Sequence, residues 1–457
     1  MGYIDIVNLV TGIFTAILGL LAAYLIIFMI VGLFRKKTFP QAEKKLKYGV
    51  VVAARNEEKV IAGLIHSVRQ SNYPQENLDV YVIAHNCTDQ TAQVARENGA
   101  IVYEYNNSAE KTKGYALKYL FDCIKNDETI ESHDGYIIMD ADNMVTAEFF
   151  NKMNDAFIAN GCKNVITSYR NARNFGENAM AANYGLMFAM CCSLEARGKT
   201  VCNCTAKLLG SGFLVSAEDL KDGWNTVTIL DDTDYTIEQA LKGKKVIYCD
   251  EAEYLDEQPT TFKTMFTQRL RWAKGSLIVC KDRFKQLIKG IFGRRKRKKQ
   301  QEGQENISPE KPLRLSCYDL LFLNLPIPAV SFFVMILQAV LTAFAPLFGY
   351  NAVEVWCNWG LINLITLGIG YLGSIALAIL IYVINRKRIK NVPVRVRIAS
   401  CLTYGLFLYF LVFLQIIAMF KKDLGWSQIV HTATMHPAPV SQQATNELAE
   451  PNTESAE

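Results

Sequence analysis

Histidine is scarce in this sequence, with 5 in 457 residues, and no charge sign dominates: 49 Lys and Arg face 44 Asp and Glu. So few histidines leave little from which to build a zinc centre. A net charge of +5 is too small to argue for a nucleic-acid partner. Cysteine is present but lacks metal spacing. Cys191-Cys192 and Cys202-x-Cys204 have no second pair at zinc-finger distance. The twelve thiols read as free, buried or half-buried side chains in a reducing compartment. The sequons Asn86-Cys87-Thr88 and Asn203-Cys204-Thr205 would be idle there. The stretch from Lys44 to Asp282 also lacks the long uncharged runs that flank it. The apolar fraction of 50% is ordinary for a globular protein, so its uneven distribution carries the information.

Ile6 to Phe34 has no charged residue and is long enough to cross a bilayer. It lacks the basic start and small-residue cleavage site of a signal peptide, so residues 1–36 read as a retained anchor. Basic residues beside apolar segments, at Arg35-Lys36-Lys37 and Arg386-Lys387-Arg388, mark a cytosolic side. Residues 283–314 read as a basic cytosolic linker. Its run Arg294 to Lys299 suits either anionic lipid headgroups or plain solvent. Residues 315–431 form a C-terminal membrane region. Leu315 to Leu325 suits an interface helix, whereas Pro328 to Phe348 and Leu361 to Ile384 suit spans. Ile398 to Phe420 is long enough to span, yet Arg395, Arg397, Lys421 and Lys422 flank both ends. Either the positive-inside rule is overridden, or the segment is kinked, re-entrant or interfacial. Residues 432–457 have the composition of a disordered tail.

Between the membrane segments, short apolar runs alternate with helical periods. Tyr48 to Ala54, Leu78 to Ala84, Ala100 to Tyr105 and Gly135 to Asp140 read as strands. Arg55 to Gln70, Asp89 to Asn98 and Lys113 to Lys125 read as helices. The alternation predicts an α/β domain over 44–282, with a mostly parallel sheet and helices on both faces. Its ligands would bind at the carboxyl ends of the strands.

Three motifs carry chemistry. Asp140-Ala141-Asp142 follows a hydrophobic strand, and alternate carboxylates at a strand end can share one Mg²⁺ or Mn²⁺ with substrate phosphates. Asp231-Asp232-Thr233-Asp234 offers a base for an attacking hydroxyl, or acids for the first turn of a helix; Asp231 could cap while Asp232 acts. Gln268, Arg271 and Trp272 share a helix face, with amide and guanidinium suited to a diphosphate and an indole suited to a sugar ring.

With Ala54-Arg55-Asn56-Glu57, Lys113-Gly114-Tyr115-Ala116-Leu117 and Gly210-Ser211-Gly212, these motifs resemble the family 2 glycosyltransferases, particularly the membrane-embedded cellulose, β-glucan and hyaluronan synthases. The resemblance implies a GT-A fold and an inverting transfer. It casts Asp140 and Asp142 as holders of Mg²⁺ or Mn²⁺, and Asp232 as the base. Gln268 and Arg271 would contact the diphosphate, and Lys113 would lie near the phosphates. Ala54, Asn56, Glu57 and His85 would line the nucleotide site. Trp272, Gly210, Ser211 and Gly212 would line the acceptor site, and Trp426 and His431 would form a loop closing over the nucleotide. Two positions depart from the family pattern: Leu230-Asp231-Asp232 replaces Thr-Glu-Asp, and Ala84-His85-Asn86 stands where relatives carry an aspartate that reads uracil.

The leading expectation is a processive synthase in the plasma membrane, multi-pass, with a cytosolic catalytic domain. It would elongate a β-linked polysaccharide acceptor, a β-glucan from UDP-glucose, amid membrane lipids and with an export or accessory subunit. Single addition to a lipid-linked acceptor, or a polymer containing N-acetylglucosamine, are the alternatives. A non-enzymatic transport component is a remote one.

Overall fold

β1 (Tyr48–Ala54) is buried along its length, as its unbroken apolar run requires of a central strand. The computed structural model describes residues 1–127, 129–293 and 311–421. Its further strands are β2 (Leu78–His85), β3 (Ile101–Tyr105), β4 (Gly135–Asp140), β5 (Met144–Val145), β6 (Val165–Ala172), β7 (Phe213–Ser216) and β8 (Val246–Asp256). They form one sheet in the order β3-β2-β1-β4-β7-β6-β8-β5. The β3-β2-β1-β4 half is parallel. The other half is mixed, because β7 runs antiparallel to both β4 and β6, and β5 runs antiparallel to β8. β6 and β8 pair in parallel, so four of the seven pairings are parallel and the expected mostly parallel sheet holds, with β7 and β5 as its antiparallel strands.

Alternation along β1 divides the core. Val50 and Val52 pack with α2 (Ile61–Arg69) and α5 (Phe149–Ala159), which buries Leu64, Ile65, Phe149 and Phe150. Val51 packs on the opposite face with Leu117, Leu120 and Phe121 of α4 (Lys113–Asp127). α3 (Thr91–Glu97) lies between β2 and β3 in the chain. Helix was expected from Arg55, but it starts at Ile61. Asn56 takes a left-handed φ of 58°, and its side chain accepts a hydrogen bond from the Thr88 backbone N–H at 2.7 Å. Residues 55–60 thus form a strand-end loop.

α6 (Ala179–Met190) continues through a π-helical turn, Cys191–Ala196, into α7 (Arg197–Val201). α8 (Asp231–Leu241) and the long α9 (Phe262–Phe292) complete the α/β domain. The apolar helices are α1 (Tyr3–Phe34), α10 (Arg314–Asn324), α11 (Ile327–Ala343), α12 (Ala352–Ile384) and α13 (Val394–Phe420). α1, α12 and α13 are each long and apolar enough to cross a membrane, and α10 and α11 form a pair bent by 55°. α1 crosses the π-turn and α7 at backbone distance. A Cβ on Gly32 would lie 2.0 Å from the Leu194 carbonyl oxygen, and one on Gly198 would lie 1.8 Å from that of Phe28.

α13 is one unbroken helix, so the kink considered for Ile398 to Phe420 is absent from its described residues. In the segment that leads into α13, Arg388 pairs with Asp250 and stacks on Tyr169, both in the sheet. Midway, Asn183 of α6 donates to the Thr403 hydroxyl at 2.9 Å. Near its end Lys274 of α9 donates to the Ala418 carbonyl at 3.2 Å. Both the approach to α13 and its end therefore lie against the α/β domain. The polybasic run Arg294 to Lys299, Trp426, His431 and the tail 432–457 lie outside the described residues.

Candidate active site

The carboxyl ends of β1, β2 and β4 open into a cavity of about 860 Å³. Ala54 and Glu57 reach it from the end of β1, His85 from β2, and Asp140 and Asp142 from β4. Lys113 comes from the first residue of α4, and Gly210 from the loop before β7. Asp232 comes from α8, and Gln268, Arg271 and Trp272 come from α9. Motifs spread over more than 200 positions of sequence thus meet around one space.

Lys113 is central to this arrangement. Its ammonium donates to the Asp140 carboxylate and, at 2.9 Å, to the Gly210 carbonyl. Burial works against its charge, but Asp140, Asp231 and Asp232 outweigh burial and hold its pKa above the usual lysine value. The Asp140 backbone N–H donates to Ser211 Oγ at 3.0 Å and to Asn143 Oδ1 at 3.1 Å. Asn143 then donates to Asp142 at 3.0 Å and to Asp256 at 3.3 Å. Asp256 pairs with Arg170. The Asp-x-Asp turn is therefore fixed from behind by a hydrogen-bonded frame. Among the described residues no three His, Cys, Asp or Glu side chains converge as a metal cluster. Two strand-end carboxylates suit a hard cation only if a ligand's phosphates complete its coordination.

Asp231 is the first residue of α8, after the N-cap residue Leu230, and it lines the cavity. Burial pushes its pKa up to about 7, against the pull of Lys113 and with help from Asp232 and Asp140. Burial also raises Asp232, which Lys207 opposes. Asp231 and Asp140 act in turn on the Arg271 guanidinium. The Arg269 guanidinium lies 4.7 Å from the Trp272 ring centroid and 4.2 Å from that of Tyr184, so it holds the indole by a cation–π contact. His85 stacks on Tyr105, and its Nε2 lies 2.8 Å from the Glu110 carbonyl.

Three expected site residues do not line the cavity. Asn56 ties the loops after β1 and β2 together. Ser211 is buried behind Asp140. Gly212, at φ +67°, has no room for a Cβ, which would lie 2.2 Å from the Tyr254 ring. These residues shape the site from behind. Conversely, Arg55, Glu195, Lys207, Asp231, Arg269 and Gln415 line the cavity although no motif flagged them as ligand contacts. Gln415 had one available signal: it is a lone polar side chain in a long apolar stretch.

A family model described as Glycosyltransferase like family 2 matches residues 46–275, half of the chain, and spans these motifs. The chain belongs to this family. Its catalytic domain is thus a GT-A-type α/β domain with a mixed sheet. The beta-monoglucosyldiacylglycerol synthase of Nostoc sp. is 27% identical over 260 residues, covering 54% of this chain and 52% of that protein. Its counterpart from Synechocystis sp. is 24% identical over 229 residues, covering 50% and 47%. The chain therefore spans about half the length of the curated relatives it matches. The mannosyltransferase PcManGT from Pyrobaculum calidifontis, solved with GDP-Man and Mn²⁺, aligns with a TM-score of 0.52 at 14% identity. That alignment covers 89% of this chain and 99% of that one, and it supports the fold of the family 2 domain and the apolar helices around it.

Proposed function

We propose that this chain transfers one sugar from a nucleotide sugar, UDP-glucose foremost, to a hydroxyl of a membrane-lipid acceptor, with inversion at the anomeric carbon. The observation that carries this reading is the mixed lining of the cavity. It brings together the charged groups Lys113, Asp140, Asp142, Asp231, Asp232 and Arg271 with Leu323 of α10 and Leu411 and Leu414 of α13, apolar side chains on the C-terminal apolar helices. An amphiphile could set its head among the carboxylates and its chains along those helices. The cyanobacterial relatives, named for a glucosylated diacylglycerol, support the lipid alternative over polymer elongation.

In this reading Asp140 and Asp142 hold Mg²⁺ or Mn²⁺ against the donor diphosphate. The cation, when bound, offsets the negative charge that gathers on the departing nucleotide. Arg271 and Lys113 add positive charge on the same side, and Gln268 supplies an amide. Asp232 takes the proton of the attacking hydroxyl, while the sugar moves from the diphosphate to that oxygen in one displacement. Trp272 presents its ring to the acceptor.

The test supplies radiolabelled UDP-glucose, UDP-N-acetylglucosamine and GDP-mannose to the full chain in lipid vesicles, with Mn²⁺ or Mg²⁺. Label should move into the solvent-extractable lipid fraction as a single sugar, and EDTA should stop it. Label accumulating as a hydrolase-sensitive polymer would replace this reading with the elongation one.

A further inference from the structure

The cavity has a second polar group, built by the π-helical turn Cys191–Ala196. Turns of this kind recur at functional sites because they re-aim a side chain that a regular helix would place elsewhere. Here the re-aimed side chain is Glu195, which reaches the cavity. Its Oε1 accepts from Lys199 Nζ at 2.6 Å. Lys199, fully buried, also donates to Asp319 of α10 at 2.7 Å, and the other oxygen of Asp319 accepts from the Tyr24 hydroxyl of α1 at 2.9 Å. Asp319 uses both its oxygens inside the protein. Glu195 uses only Oε1, so its Oε2, which accepts no hydrogen bond from the described residues, is the oxygen left for a ligand.

Other acceptors wait in the same space. Gln268 and Gln415 each bury an amide oxygen that has no hydrogen-bond partner. A buried acceptor left unmatched is costly, so this wall favours a ligand that brings several O–H donors. Gln415 belongs to α13 and Asp319 to α10, so this acceptor-rich region adjoins the apolar side chains Leu323, Leu411 and Leu414.

We infer that Glu195, with Gln415, binds hydroxyls of the acceptor other than the one that is glycosylated. The acceptor is then a lipid whose head carries several hydroxyls, such as a glycolipid, rather than diacylglycerol, which carries one. This rests on the lipid reading above and narrows its substrate class.

The experiment compares 1,2-diacylglycerol with a monoglycosyldiacylglycerol as acceptors for the full chain in vesicles, using wild type, Glu195→Ala and Glu195→Gln. Wild type should favour the glycosylated lipid at least tenfold in kcat/KM. Glu195→Ala should raise the KM for that lipid about 10- to 100-fold, the range of a lost hydrogen bond to a charged group. Its donor KM, read from nucleotide release without acceptor, should not move. Glu195→Gln keeps the shape and one acceptor oxygen, so it should recover part of the loss and guards against misfolding of the alanine variant. Equal use of diacylglycerol by wild type, or an unchanged acceptor KM in both variants, would overturn the inference while leaving the lipid reading intact. Transfer only to a soluble oligosaccharide would overturn the lipid reading, and the same KM comparison on that acceptor would decide Glu195. Donor hydrolysis with no transfer to any acceptor would overturn both.

Discussion

At the residue scale, the decisive pair is Asp231 and Asp232. Two neighbouring carboxylates in a buried site do not both ionise readily, and here burial raises both. Burial raises Asp231 up to about 7 and raises Asp232 as well, so the pair holds on to a proton more strongly than free carboxylates do. Asp232→Asn should lower transfer by about 10²- to 10⁴-fold while nucleotide binding, measured by calorimetry, is kept. Asp231→Asn mimics the protonated form and should stay within about tenfold of wild type. The same pKa makes a stability prediction with a defined sign. Between about 3.8 and about 7 the folded chain holds a proton on Asp231 that the unfolded chain has released. Unfolding free energy should therefore fall as pH rises through that window, and Asp231→Asn should flatten this part of the slope in thermal melts. Asp232 was legible in sequence because a motif surrounds it. For Asp231 the sequence left capping open, since composition at a helix start cannot show which way the side chain turns.

At the element scale, what the sequence showed depended on how local the signal was. β1 and β4 have the bounds expected from their apolar runs, because both are central strands with apolar neighbours on each face. The antiparallel β7 was not legible. Its four residues carry no period, and its direction is set by pairing with β4 and β6, which lie far away in the chain. The π-turn was equally hidden, although Glu195 depends on it. Its position is fixed from outside by the contact of α1 with Gly198. Gly198→Val would force three side-chain carbons against the Phe28 carbonyl and push α1 away from the turn. The expected cost is about 1–3 kcal/mol or more of overpacking. A lower melting temperature should accompany a loss of transfer, whereas Gly19→Val on the open face of α1 should change neither.

At the scale of the whole molecule, the question is how often the chain crosses the membrane. Basic residues at both ends of α13 could not decide between a fourth crossing and a helix that stays on one side. The packing argues for the second. The chain touches the α/β domain at Arg388 before α13 starts, and α13 touches it at Thr403 and Phe407 along its middle and at Ala418 near its end. Its 27 residues extend about 40 Å, and a helix perpendicular to the membrane would leave the domain after a turn or two. Leu411, Leu414 and Gln415 also line the cavity, which keeps the last third of α13 beside the α/β domain. If α1, the bent pair α10–α11 and α12 cross while α13 does not, the count is three, an odd number, and tags at the two ends are predicted to lie on opposite sides. Full-length protein carrying a different cleavable tag at each end, reconstituted in sealed vesicles, gives a parity readout. External protease should remove one tag and spare the other in molecules of either orientation. Loss of both tags together from one population, and of neither from the other, would mean four crossings. Gln415 would then have to reach the site from a true span, and the acceptor would have to enter beside it from within the bilayer.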